Sequence, residues 1–152
     1  MLERTAQSGT LDWIGLRAGR RTPLVPTNSV DVSVSGLEGD HSRPGKRAVT
    51  LIQGEHLAAI GSFLGRDTVA PDRLRRNLVV SGLNLSSLKG RLISIGTARL
   101  RLTTICAPCS RMEEEFGPGG YAAVRGHGGW CAEVETEGRI SVGDALIPVS
   151  EV

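Results

Sequence analysis

Short alternating apolar runs, each stopped by glycine, proline or a charged turn, recur from Thr10 to Ile147 and point to a mostly β chain. Thr10 to Arg17 (TLDWIGLR) reads as a first strand, ended by Arg20, Arg21 and Pro23. Val30 to Val34 alternates strictly, which predicts Val30, Val32 and Val34 on one buried face. Gly36 to His41 (GLEGDH) is too rich in glycine and charge for a helix or strand and reads as a loop. Ala48 to Gln53 is a near-continuous apolar run and a buried strand, and Leu78 to Val80 is a short one closed by Gly82. Leu92 to Ile95 and Ala98 to Ile105 pair around Gly96 and Thr97. Trp130 to Thr136 and Arg139 to Ile147 complete the set, with Glu137-Gly138 as a hairpin turn and Gly143-Asp144 as a kink or second turn.

Helical spacing is confined to brief stretches. Leu57, Ile60 and Leu64 give Glu55 to Leu64 one apolar face, stopped at Gly65. Ser110 to Phe116 and Tyr121 to Arg125 are shorter still. Twenty glycines and seven prolines stand against five aromatic residues, a balance that favours tight turns over long elements. Strands of about five residues separated by turns favour a closed or nearly closed β-barrel with a few short helices over an open α/β sheet. A chain of 152 residues makes one such domain, 1–152.

Two thiols, Cys106 and Cys109, fall where the run Ala98, Leu100, Leu102, Ile105 stops. Pro108 forbids continuing the strand inside a sheet, and Ser110 with Glu113 has the spacing of a capping box. Cys109 then lies just before a helix N-terminus, where amide groups and the dipole favour a thiolate. Such positions lower a thiol pKa from about 8.5 to between ~3.5 and ~7.5. Arg111 supports that shift and Glu113, Glu114 and Glu115 oppose it. Cys106 faces back into the strand, and Cys131 reads as a small buried apolar residue.

An odd number of cysteines, two in a C-x-x-C, fits a reducing compartment better than a disulfide framework. No window approaches the roughly 18 to 20 apolar residues of a membrane span, and the first nine residues lack the apolar core of a signal peptide. The expectation is a cytoplasmic protein with no membrane partner. A net charge of +2 is too mild to imply nucleic acid.

The C-x-x-C admits three readings. A structural zinc site needs two further ligands, for which His41, His127 and Cys131 are the candidates. A thioredoxin-like dithiol should open the helix of a βαβ unit near the N-terminus, whereas this motif lies two-thirds along the chain. The third reading makes one thiolate, Cys109, a soft ligand or sulfur carrier. The densest cationic group, Arg73, Arg75 and Arg76 with Asn77, suits a phosphorylated organic guest, since guanidinium forks bind phosphate oxygens and an amide reads a heterocycle edge. Read blandly, it is a solvated charged turn. Lys46 and Arg47 add to the same anion site or flank a strand. Gly126-His127-Gly128-Gly129 brings backbone amides close to a ligand or is a plain loop. His41 and His127 read as surface or supporting histidines. No Gly-x-Ser-x-Gly, Walker loop or dinucleotide fingerprint is present in the sequence.

Taken in order, GLEGDH, GKRAVTLIQGEHL, RLRRNLVVSGLNL, LISIGTARLRLTTICAPC, HGGW and GRISVGDAL resemble the MOSC domain family, named for the C-terminal domain of molybdenum cofactor sulfurase. The resemblance runs from about Val30 to Ile147 and implies a β-barrel of the pyruvate kinase barrel type that binds molybdenum cofactor, a phosphate-tailed pterin dithiolene. It implies Cys109 as molybdenum ligand or persulfide carrier, and Arg75 and Asn77 as holders of the pterin phosphate and ring. Arg73, Arg76, Lys46, Arg47, Cys106, His127 and Gly128 complete the expected cofactor surroundings. Pyridoxal phosphate is not expected, because the desulfurase domain with its Schiff-base lysine is absent from this chain. Three functions follow as expectations. The domain reduces N-hydroxylated compounds with electrons from a redox partner, or carries cofactor or sulfur between a donor protein and a target enzyme, or is a zinc-stapled binding module.

Overall fold

The computed structural model describes residues 4–106 and 110–151, with Ser110 described by its backbone alone. Cys109, with Ala107 and Pro108, lies outside the described residues.

Eleven strands and three short helices account for the described chain. The strands are β1 (Gly9–Arg17), β2 (Leu24–Thr27), β3 (Ser29–Ser33), β4 (Gly36–Leu37), β5 (Val49–Gln53) and β6 (Leu78–Ser81). They continue with β7 (Leu92–Ile95), β8 (Ala98–Ile105), β9 (Trp130–Thr136), β10 (Gly138–Ser141) and β11 (Ala145–Pro148). The helices are α1 (Glu55–Phe63), α2 (Ser110–Phe116) and α3 (Gly120–Val124), and single 3-10 turns cover Pro71–Leu74 and Leu85–Leu88.

Strand pairing runs β11-β7-β8-β9-β5-β6-β1 and closes where β1 meets β11, giving a seven-stranded barrel. Closure removes both sheet edges. All pairs are antiparallel except β5 with β6, whose connection carries α1 and the first 3-10 turn across the outside. Alternation decides which side chains enter the barrel. Ala98, Leu100 and Leu102 of β8 point inward with Val49, Leu51, Leu78, Val80, Ile93 and Ile95, while Arg101 reaches out to Glu135 and Glu151. The opposite faces of β5 and β6 carry Ile52 and Val79, which pack with Ile60, Met112, Phe116 and Val124 into a second cluster holding the helices on the wall. The buried apolar side chains each contribute about 1.5–3 kcal/mol of transfer free energy before chain entropy is subtracted.

Four sequence expectations are corrected. Of the two readings of Gly143-Asp144 the turn holds and separates β10 from β11, but Glu137-Gly138 does not make a hairpin. β10 leaves β9 and pairs with β3 in a separate three-stranded sheet, β10-β3-β4. The loop at GLEGDH accordingly begins with a two-residue strand, β4. Val34 ends its strand and is 54% exposed rather than sharing the buried face of Val30 and Val32. β2 was not expected, because Pro23 and Pro26 break its pattern. It pairs with β1 along the stretch beyond the β1–β11 contact, at the outer end of the sheet order, where a missing N–H is tolerated. The Glu113 carboxylate accepts from Gly119 N and Tyr121 N, capping the entry to α3, while the Ser110 side chain of the expected capping box lies outside the described residues.

Candidate functional site

The end of β1, the turn after it, the segment before β6 and the start of α2 converge on an open bowl of about 430 Å³. Its wall carries six arginines, Arg17, Arg20, Arg21, Arg75, Arg76 and Arg111, with His41 and a single acid, Glu114. Antiparallel pairing of β1 with β6 (Ile14 opposite Leu78) forces the end of one beside the start of the other, which brings Arg17 to Arg75 and Arg76.

Arg75 is the sole non-glycine described residue in the left-handed region, at φ 59°. It ends the 3-10 turn and redirects the chain into β6, and an L-residue there costs roughly 1–2 kcal/mol. Its guanidinium donates to the Arg20 carbonyl at 3.0 Å, and Arg111 donates to the same oxygen at 2.7 Å. Arg76 is 9% exposed; its Nε donates to Gly128 O at 2.7 Å and its Nη1 to Leu74 O at 3.1 Å. A carbonyl orients a guanidinium without cancelling its charge, so these contacts position the arginines by backbone oxygens.

Asn77 lies beneath the bowl instead of in its wall. It has no exposed surface, and its amide is shared among four protein contacts. Oδ1 accepts from Thr50 N and Thr50 Oγ1, both at 3.1 Å. Nδ2 donates to Gly15 O and Asp40 Oδ1, again at 3.1 Å. Asp40 in turn accepts from Arg17 N at 2.7 Å, so Asn77 ties β1, β5 and the GLEGDH segment together under the arginines. Asp40 Oδ2 and Arg17 Nε are buried without a hydrogen bond, Arg17 Nε standing 3.6 Å from Asp40 Oδ1. These are unspent polar atoms at the edge of an anion-shaped site.

The other sequence candidates divide between neighbouring hollows. Lys46 and Arg47 line one that shares Arg17 and His41 with the bowl. Arg73 lines a smaller one with Arg21, Arg75 and Arg111, but its head pairs with Glu115 at 2.7 Å and stacks over Phe116. Cys106, His127 and Gly128 belong to a separate cleft of about 600 Å³ with Gln53, Ile105 and Tyr121. Arg76 stands between the two cavities: the space a Cβ on Gly128 would take is bounded by the Cys106 carbonyl and the Arg76 guanidinium. His127 packs edge-on against His56, with ring centroids 4.8 Å apart, and tilts over Phe63. Burial, and then the neighbouring His127, hold His56 below its usual pKa. Cys106 and Cys131 are both buried thiols. His41 lies in the bowl, apart from the cleft holding Cys106 and His127, and no group of three metal-ligating side chains occurs among the described residues.

Sequence reading missed Arg17, Arg20, Arg21 and Arg111 as parts of the cation cluster. Arg17, Arg20 and Arg21 fall within five positions, a signal that was spent on marking the end of a strand.

A closed seven-stranded barrel with an arginine-lined bowl at its strand ends defines the class: a small β-barrel domain with a cationic hollow. The MOSC domain model matches residues 38–147, most of the chain, and the chain belongs to the MOSC domain family. The solved structure of YuaD from Bacillus subtilis is similar at 18% identity and TM-score 0.81, covering 95% of this chain and 98% of that one. YiiM from Escherichia coli is similar at 22% identity and TM-score 0.74, over 96% of this chain and 71% of that one. YiiM from Geobacillus stearothermophilus gives 22% and 0.75, over 93% and 75%. At these identities the solved structures establish the fold. No curated protein matches the sequence. No described helix is long and apolar enough to cross a membrane.

Proposed function

We propose that the chain binds molybdenum cofactor, with the arginine bowl holding the phosphate-bearing tail and Cys109 supplying a thiolate to the metal. The observation that supports this reading is one open bowl lined by six arginines and one acid, Glu114, with the Asp40 carboxylate 3.6 Å from Arg17. The donor set suits the ligand: guanidinium forks match phosphate oxygens, and a thiolate matches a soft metal. When bound, the cofactor supplies a metal centre able to exchange electrons with a small substrate.

The chain's own residues then have distinct tasks. Arg75 and Arg111, both anchored on the Arg20 carbonyl, bring two guanidinium groups side by side to face the anion. Asn77 and Asp40 fix the floor from below and do not touch the ligand. The neighbouring cleft, walled by Ile105, Tyr121, Trp130 and the His56–His127 pair, admits a small organic molecule and limits its contact with water. That cleft favours turnover, reduction of an N-hydroxylated compound with electrons from a protein partner, over simple carriage of cofactor or sulfur.

Binding of isolated cofactor tests the reading. Each charge-assisted contact contributes ~1.5–3 kcal/mol, so Arg75→Ala and Arg111→Ala each weaken binding about ten- to hundredfold. Pterin fluorescence in a titration reads this directly. Unchanged affinity in both variants overturns the bowl as the phosphate site, whereas tight binding without turnover of any N-hydroxylated compound selects the carrier.

A further inference from the structure

The end of β8 and the start of β9 place two buried sulfurs against each other. Ile105 is the Cα partner of Trp130, and Cys106 N donates to Gly129 O at 2.8 Å, so Cys106 and Cys131 lie on adjacent antiparallel segments. Their Sγ atoms are 3.0 Å apart, within thiol hydrogen-bond distance. Two thiols kept only as small apolar fillers do not need to point at one another. A disulfide has an S–S length of about 2.05 Å, so closing the pair asks for roughly 1 Å of approach between the two sulfurs. Cys106 forms part of the wall of the 600 Å³ cleft, giving a solvent-side reagent a route to the pair.

We propose that Cys106 and Cys131 form a redox-active dithiol that exchanges two electrons with small organic disulfides, closing a reversible cross-strand disulfide in the cleft wall. This site is independent of the cofactor reading and does not use Cys109. In the forward direction Cys106, the sulfur that lines the cleft, passes its proton to the Cys131 thiolate and attacks one sulfur of a disulfide RSSR, forming a mixed disulfide and expelling RS⁻. The second thiol gives its proton to the released RS⁻ and attacks the protein sulfur of the mixed disulfide, expelling a second RS⁻ that takes a proton from solvent. Two protein thiols are oxidised to one disulfide while RSSR is reduced to two RSH, so atoms and electrons balance. The surroundings supply the thiolate that accepts the Cys106 proton. The hydrogen bond shared with Cys106 lowers the Cys131 pKa to about 7 despite its burial, helped by Arg47 and Arg76. The same hydrogen bond, and burial, push the Cys106 thiol up, so the pair releases one proton readily and keeps the other.

The test uses Cys109→Ser, which leaves two thiols, and equilibration with mixtures of oxidised and reduced glutathione. Oxidation is expected to protect both thiols from iodoacetamide, to remove two hydrogens from the intact mass without adding glutathione, and to reverse fully with dithiothreitol. In Cys106→Ser and Cys131→Ser the remaining thiol of the pair is expected to keep a glutathione adduct instead. Peptide mapping of the unsubstituted chain gives a second readout that needs no variant, because fragmentation must place the bond between Cys106 and Cys131. The proposal is overturned if both thiols stay alkylatable in oxidised glutathione, if each gains its own adduct with no internal bond, or if the bond maps to Cys109.

Discussion

Replacing Asn77 with alanine separates two roles that its position beside Arg75 and Arg76 leaves open in the sequence, ligand reader and floor brace. The side chain has no exposed surface, and its loss strips partners from Thr50 N, from Gly15 O and from the Asp40 carboxylate. A buried group left without its partner costs ~1–3 kcal/mol, and two backbone groups together with a small cavity give about 3–5 kcal/mol for Asn77→Ala. That is a large share of the ~5–15 kcal/mol by which a domain is stable. Asn77→Asp is expected to be worse at neutral pH, since a carboxylate replaces two donors facing the Gly15 carbonyl and Asp40 with acceptors, and to recover partly in mild acid. Urea denaturation followed by Trp fluorescence measures both. A loss under ~1 kcal/mol for Asn77→Ala, with anion affinity falling instead, refutes the brace and makes Asn77 a ligand contact.

Further outcomes follow from other positions. Gly129 has φ 91°, and a Cβ there would run into the Leu51 carbonyl on β5, so Gly129→Ala is expected to lose at least ~2 kcal/mol and to show it as a lowered Tm. A wild-type Tm in that variant contradicts the close approach of the HGGW loop to the barrel. His56 is depressed below its ordinary 6.5 in the folded state, so the unfolded chain binds the proton more readily. Stability is therefore full above that value and declines as pH falls through it. A pH series of denaturation curves on wild type and His56→Gln reads the difference, and parallel curves contradict it.

Much of the barrel was readable because its strands obey local rules. Arg99 and Arg101 alternating with Ala98, Leu100 and Leu102 announced β8, and Gly96-Thr97 announced its turn to β7. What escaped were decisions made at long range. Glu137-Gly138 has hairpin chemistry, yet β10 finds its partner in β3, more than a hundred residues earlier in the chain. Pro26 argues against a strand in general, but β2 sits where no ladder needs its N–H. Glu113 has the spacing of a capping box, but spacing gave no sign that its carboxylate would also serve the amides at the start of α3.

The candidate site divides the same way. Arg75 and Arg76 were visible as a dense cationic group, and the bowl does contain them. Its other arginines come from β1, the following turn and α2, segments brought together only by barrel closure. Asn77 looked like part of the same group because sequence places it one residue away. Asn77 falls in the bend before β6, is fully buried, and shares its amide with Thr50, Gly15 and Asp40, partners that lie far from it in sequence. Cys131 was expected to be a buried apolar residue, and it is buried, but its sulfur faces that of Cys106.

Metal content reports most directly on the central claim, that the arginine bowl and Cys109 together hold molybdenum cofactor. Protein freshly purified from a host that makes the cofactor, and assayed by elemental analysis alongside its Cys109→Ala variant, is expected to carry molybdenum in near-equal molar ratio to chain, with the variant depleted. Folded wild-type protein that holds no molybdenum and takes up none on reconstitution, or a variant that retains it undiminished, contradicts the account.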